Sequence, residues 1–241
     1  MKLCVIGGAG ARSAFLTKSL VKSAREIRED HIVLLDNNEE HLRTYGQISK
    51  ELARRMEPSL TFDITSDARG ALTGADYIIT TIRAGGDAGR LFDEKTCLAH
   101  GVLGQETTGA GGFAMAIRSV PTLVYYCTLA REVSNPGHLI FNFTNPSGII
   151  TQALRSCGFA NVYGICDAPS GFIKQLEEIL NVPYGALDIE CYGLNHLSWF
   201  RNAKLDGRDV QEELLNNPRT YQHSEMRLFT REMARLSGEC M

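Results

Sequence analysis

Lys2-Leu3-Cys4-Val5-Ile6-Gly7-Gly8-Ala9-Gly10-Ala11-Arg12-Ser13 opens the chain, and its reading decides the fold. The short apolar run from Lys2 to Ile6 is broken by glycines, and from Phe15 onward Leu16, Leu20 and Val21 recur at helical spacing. That is a strand, a tight turn and a helix. A second apolar run, Ile32-Val33-Leu34-Leu35, ends in Asp36. The turn is a degenerate Gly-x-Gly-x-x-Gly loop, with Ser13 where the last glycine would stand. Glycines let the backbone approach a pyrophosphate, and the helix that follows offers it unpaired N–H groups. An acid after the second strand accepts from ribose hydroxyls and repels a 2′-phosphate. Gly8, Gly10 and Asp36 are therefore expected to hold NAD rather than NADP. The plainer alternative is a tight β-α turn with an acidic helix cap.

Outward from this unit the same texture continues. Leu42 to Met56 reads as a helix, Leu60 to Ile64 as a partly exposed strand and Tyr77-Ile78-Ile79 as a fourth apolar strand. A long helix is expected from Ala114 to Val133, kinked at Pro121. Leu139 to Phe143 and Val162 to Ile165 read as further strands. Strands alternating with helices predict a parallel sheet with right-handed crossovers, whose ligands sit at the carboxyl ends of the strands. Arg83, Asn145 and Cys166 all fall at such ends.

After Ala186 the pattern changes. Ile189 to Trp199 is β-like with Asn195-His196 inside it, Asp206-Gly207 suggests a hairpin turn, and Glu212 to Leu236 is charged and helix-forming. The expected architecture is an α/β, Rossmann-like doubly wound parallel sheet over residues 1–186, with the start of a second α+β domain over residues 187–241.

Composition narrows the function classes. The chain has 241 residues, enough for one substantial core or one domain and part of another. With 44% apolar and 22% charged residues and a net charge of -3, nothing favours a nucleic acid or an anionic membrane as partner. The first apolar run is too short for a signal peptide and no stretch reads as a membrane span, so a cytoplasmic protein is expected. Seven cysteines, odd in number and without paired spacing, read as reduced thiols.

Two further segments carry candidate chemistry. Cys166 in Gly-Ile-Cys-Asp-Ala-Pro and His196 in Gly-Leu-Asn-His-Leu, each at or near a strand, suit one divalent ion whose remaining positions are open. Taken singly, a lone cysteine is more often a small buried hydrophobe and a lone histidine a satisfied core or surface residue. Arg83-Ala84-Gly85-Gly86 and Arg90, followed by Asp93-Glu94, read as a glycine-rich loop whose guanidiniums clamp a phosphate or carboxylate, or else pair with Asp87 or Asp93. The small and polar stretch from Gln105 to Gly112 suits a site wall or a flexible connection.

Together these segments resemble the family 4 glycoside hydrolases. The likeness runs through nearly the whole chain. It rests on the glycine loop, Ile82 to Gly86, Leu91 to Glu94, Gly104 to Thr107, Phe143 to Gly148, Cys166 to Pro169 and Gly193 to His196, in that order. The branch acting on 6-phospho-β-glucosides is the most similar. The resemblance implies hydrolysis by redox-neutral oxidation at C3, elimination and water addition, using NAD⁺ and Mn²⁺ or a similar ion. It implies Cys166 and His196 as metal ligands, Asn145 and Arg90 as substrate contacts, Arg90 near the 6-phosphate, and Glu106 in the same site. Asp167 stands where the α-glucosidases of the family typically carry Asp and the β-glucosidases Asn, and there it can protonate the leaving group. Its other reading is a cap for a helix beginning near Ser170.

Members of the family continue well beyond a length of 241 residues, with the tyrosine taken as the C2 base in that part. Tyr221 does not match its motif and is expected to be a surface helix residue, so the chain reads as part of an enzyme. A homo-oligomer, dimer or tetramer, is implied as well. Outside the resemblance, a lactate- or malate-type dehydrogenase and an NAD-binding but inactive chain stand as alternatives.

Overall fold

The computed structural model describes residues 1–24, 30–224, 226, 234, 236–238 and 240. They divide into two compact units, Met1–Ile165 and Cys166–Met241.

The first unit carries β1 (Lys2–Ile6), α1 (Ser13–Ser23), β2 (His31–Leu35), α2 (Glu39–His41), a π-helical turn (Leu42–Gly46), α3 (Gln47–Met56), β3 (Thr61–Thr65), α4 (Ala68–Leu72) and β4 (Tyr77–Thr80). There follow α5 (Gly86–Ala99), α6 (Gly109–Val133), β5 (Leu139–Asn142), α7 (Ser147–Ser156) and β6 (Val162–Gly164). All six strands are parallel, in the order β3-β2-β1-β4-β5-β6. That is the doubly wound order with its reversal between β1 and β4.

The two-residue period of β1 explains the two layers of helices. Leu3 and Val5 join Ile32, Leu34, Val21 of α1 and Ala53 of α3 on one face. Cys4 and Ile6 join Val33, Leu35, Leu123 and Cys127 of α6 and Leu154 of α7 on the other. A sheet covered on both faces reads as unbroken apolar strands, as these do.

Several details depart from the sequence reading. Arg90 sits on α5 rather than in a loop, because a glycine-rich start did not prevent a 14-residue helix docked on α6 through the ion pair of Arg118 with Asp93, which is 7% exposed. Helix α6 begins at Gly109, ahead of the expected Ala114, and takes in the small-residue stretch. By length and composition α6 is the one described helix apolar enough to cross a membrane, contrary to the expectation of none. Its Leu123, Cys127, Leu129 and Ala130 belong to the buried core of the parallel sheet, as in a core helix.

The second unit holds α8 (Ala168–Leu180), β7 (Leu187–Leu194), β8 (Leu197–Leu205), β9 (Arg208–Asp209), α9 (Gln211–Asn216) and α10 (Pro218–His223). The three strands form an antiparallel sheet. Of the charged run from Glu212 to Leu236, residues 225, 227–233 and 235 lie outside the described residues. The break between units falls before α8, not after Ala186. Phe172, Leu176 and Ile179 of α8 pack with Phe200 and Leu214, and the Phe172 and Phe200 rings lie 4.7 Å apart. The buried Glu177 carboxylate accepts the N–H of Gly185 at 2.8 Å and of Leu187 at 3.1 Å, which ties α8 to β7.

Candidate functional site

In the first unit the carboxyl ends of β1, β4 and β5 gather most of the expected residues. The N–H groups of Gly7 and Gly8 donate to Leu35 O, so the loop turns tightly over the end of β2. Gly7 has φ +81°, and a Cβ there would lie 2.6 Å from Thr81 O, so this loop packs directly on the exit of β4. A Cβ on Gly8 would meet Val5 O at 2.9 Å, whereas one on Gly10 would meet nothing within 4 Å. Gly8 serves the fold; Gly10 leaves room that no protein atom uses.

Helix α1 begins without a side-chain cap or an acid in its first turn. Its positive end suits an anion. The half-buried Asp36 accepts from Ala9 N at 3.1 Å through Oδ2 and from Asn38 N at 3.0 Å through Oδ1. A carboxylate has about four lone-pair positions, so room for two ribose hydroxyls remains. The residues fit a dinucleotide.

Asn145 follows Thr144, whose Oγ1 accepts the Ile82 N–H at 3.1 Å, so the Asn145 loop and the segment entering Arg83 are joined. Arg83 Nη2 and Arg90 Nη1 then meet on the same Glu106 oxygen, at 3.3 and 2.9 Å. Arg83 also pairs with Asp87, the contact expected of the plainer reading, and Arg90 Nε pairs with Glu94 at 2.7 Å. The Glu94 hydrogen bond, with Glu106 and Asp87 nearby, holds the Arg90 guanidinium above its ordinary pKa.

The second unit contains both expected metal ligands. Half-buried Cys166 precedes α8, and Asp167 Oδ1 lies 4.0 Å from its sulfur. Asp167 takes the N-cap position of α8 but makes no side-chain capping bond, so its exposed carboxyl is not spent on the helix. His196 was expected inside a strand. It is exposed instead at the two-residue turn Asn195-His196 joining β7 to β8, with φ +64°. The Asn195 Oδ1 beside it is buried without a hydrogen-bond partner. Among the described residues no three His, Cys, Asp or Glu side chains form a metal cage. By chemistry alone, sulfur, imidazole nitrogen and a carbonyl oxygen are donor types that suit a divalent ion taking further ligands from substrate or water.

Further cysteines lie deep in the protein. Burial pushes Cys4, Cys127 and Cys240 up to about 12, which removes them as thiolate donors. Tyr221, expected at the surface, is half-buried on α10 and its hydroxyl donates to Leu215 O at 2.9 Å. Sequence reasoning missed the buried polar cluster of Thr80, Asn142, Thr144 and Ser147 beneath Asn145. Its signal was polar residues closing apolar strands.

A family model described as family 4 glycosyl hydrolase matches residues 2–182. The 6-phospho-beta-glucosidase BglT of Thermotoga maritima is 35% identical over 218 residues, 90% of this chain and 51% of that protein. The phospho-alpha-glucosidase PagL of Clostridium acetobutylicum is 35% identical over 202 residues, 82% and 45% of the two chains. A solved structure of the Thermotoga maritima 6-phospho-beta glucosidase with manganese, NAD⁺ and glucose-6-phosphate superposes with a TM-score of 0.89 at 32% identity, covering 100% of this chain and 57% of that one. The chain spans about half the length of the curated relatives it matches.

Proposed function

The chain belongs to the family 4 glycosyl hydrolases, and from that premise we propose that it serves the hydrolysis of 6-phosphoglycosides, β-linked by preference, with NAD and a divalent metal. The observation that carries this reading is the glycine loop packed on the exit of β4, with Gly10 open and Asp36 beside it. When bound, NAD⁺ would take up and return a hydride at the sugar while Mn²⁺ or a similar ion polarises the carbonyl so formed.

This chain's residues supply the rest. Gly8 and Gly10 bring the backbone and the positive end of α1 to the pyrophosphate, and Asp36 accepts from the ribose hydroxyls. Cys166 and His196 hold the ion by sulfur and imidazole nitrogen. Asn145 hydrogen-bonds a sugar hydroxyl, and the donors of Arg90 not engaged by Glu94 and Glu106 meet the 6-phosphate. Asp167, free of any capping bond, is placed in sequence to give a proton to the departing glycosidic oxygen. Its identity favours the α-selective alternative, and the relatives carry both specificities.

The test is cleavage of p-nitrophenyl 6-phospho-β-glucoside and its α-anomer with NAD⁺, Mn²⁺ and a thiol reductant, each omitted in turn. Cleavage should require all three. Cleavage that survives removal of NAD⁺ refutes the proposal, and net NADH accumulation with a hydroxy acid would mark a lactate- or malate-type dehydrogenase. Binding of NAD and Mn²⁺ without turnover would mark a non-catalytic role for the 241-residue chain.

A further inference from the structure

Four polar side chains lie buried where the core of a parallel sheet is usually apolar. Thr80, Asn142, Thr144 and Ser147 are each 4% exposed or less, at the carboxyl ends of β4 and β5 and the start of α7. Buried polar groups cost free energy unless every donor and acceptor is matched, and apolar residues would fill the space without that risk.

Asn142 is the centre of the cluster. Its Oδ1 accepts from Thr80 Oγ1 at 2.8 Å and from Thr144 N at 3.2 Å. Its Nδ2 donates to Thr144 O and Ser147 O, both at 3.3 Å, and to Thr151 Oγ1 at 3.1 Å. The reverse amide orientation would set Nδ2 against the Thr144 N–H, donor on donor, so the network fixes one orientation. Two arms extend from this hub. Thr144 Oγ1 accepts the Ile82 N–H at 3.1 Å, and Ser147 Oγ donates to Ile165 O at 3.3 Å.

We propose that Asn142 is a positioning residue for sugar binding: by gripping the carbonyls of Thr144 and Ser147 it fixes the loop that presents Asn145, and through Thr144 it fixes the entry to Arg83. Asn142 does not touch the sugar. The proposal deepens the functional reading and rests on it only for the identity of the sugar phosphate. A residue that merely filled the core would affect all ligands alike. The hub reaches the sugar side through two hydrogen-bonded segments, whereas the glycine loop and Asp36 take their own hydrogen bonds from Leu35 O and Ala9 N and meet the Ile82 arm only through the packing of Gly7.

The experiment compares the 241-residue chain with Asn142→Ser, whose hydroxyl is too short to bridge the loop, and Thr144→Val, which keeps the shape but removes the acceptor for Ile82. Calorimetry is run with NAD, and with glucose-6-phosphate in the presence of NAD and Mn²⁺. Hydrogen exchange is followed across residues 80–83 and 143–148. Glucose-6-phosphate affinity should fall about tenfold or more in both variants, as for loss of a supporting hydrogen-bond shell. NAD affinity should stay within about twofold, and exchange should quicken only in those two segments. Parallel loss of both ligands, or unchanged exchange at 143–148, overturns the proposal. If the unsubstituted chain fails to bind glucose-6-phosphate, the functional reading fails and the exchange pattern alone decides for or against the hub. If Asn142→Ser does not fold, Thr144→Val carries the same comparison.

Discussion

Asp36 Oδ2 accepts the backbone N–H of Ala9 at 3.1 Å, so the acid after β2 also shapes the glycine loop. Asp36→Ala should lower NAD affinity about tenfold or more, because it removes both the ribose acceptors and the loop's anchor. Asp36→Asn keeps one acceptor and sheds the charge that repels a 2′-phosphate. It should lose less NAD affinity and narrow the gap to NADP. Calorimetry with both dinucleotides reads this out, and an unchanged NAD affinity in Asp36→Ala would remove Asp36 from the site.

Gly8 and Gly10 should separate stability from binding. A methyl at Gly8 meets Val5 O at 2.9 Å and Leu34 Cβ at 3.0 Å, so Gly8→Ala should destabilise the fold by about 1–3 kcal/mol. A methyl at Gly10 meets no protein atom, so Gly10→Ala should unfold at or slightly above the temperature of the parent chain while losing NAD affinity. Thermal melts and NAD titrations on the two variants check the contrast. A Gly10→Ala chain that binds NAD as well as the parent would show that the open space is not where the pyrophosphate goes.

His196 holds φ +64°, a backbone conformation that disfavours any residue with a Cβ and suits glycine. Outliers of this kind collect at functional positions. His196→Gly should stabilise the metal-free chain by about 0.5–1 kcal/mol, after the entropy cost of glycine is set against the relieved strain. It should also abolish Mn²⁺ binding followed by paramagnetic resonance. Retained Mn²⁺ affinity would take His196 out of the metal site.

Asp76 makes acid sensitivity local. Its carboxyl sits below the ordinary value of 3.8, chiefly because Asn135 Nδ2 and then the Lys2 N–H bond to the charged form. A depressed folded-state value contributes stability above the unfolded value, and that contribution is lost as pH falls through the folded one. Asp76→Asn should therefore cost about 1 kcal/mol at neutral pH and progressively less below about pH 4. Urea midpoints at pH 7, 5 and 3 should converge toward the acid end, and a constant offset would contradict the assignment.

The first half of the doubly wound sheet was legible because Lys2–Ile6, the glycines and the apolar run ending at Asp36 are local signals that agree with one another. Helix α5 was not. Gly85, Gly86 and Gly89 read as breakers, and the helix depends on Arg118 of α6 reaching Asp93, a partner 25 residues away. The turn at Asn195-His196 lacks the glycine that usually marks a two-residue hairpin, so the flanking Leu194 and Leu197 merged into one strand. The helix after Asp167 was legible only by its start, and nothing local marked Phe200 as the partner of Phe172. For the site, chemistry-bearing residues stood out by type and by position at strand ends. Asn142 also closes an apolar strand, but that mark alone could not show that it bonds only to protein groups.

The placement of β1 also governs how the chain is made. Lys2–Ile6 precedes the other strands of its sheet in the chain, yet it lies between β2 and β4, and its second neighbour, Tyr77–Thr80, is translated more than seventy residues later. At about 5–20 residues per second the nascent sheet keeps one bare, apolar flank for roughly 4–15 s. During that interval the edge N–H and C=O groups of β1, and the Cys4 and Ile6 side chains that α6 and α7 cover, lack their native partners.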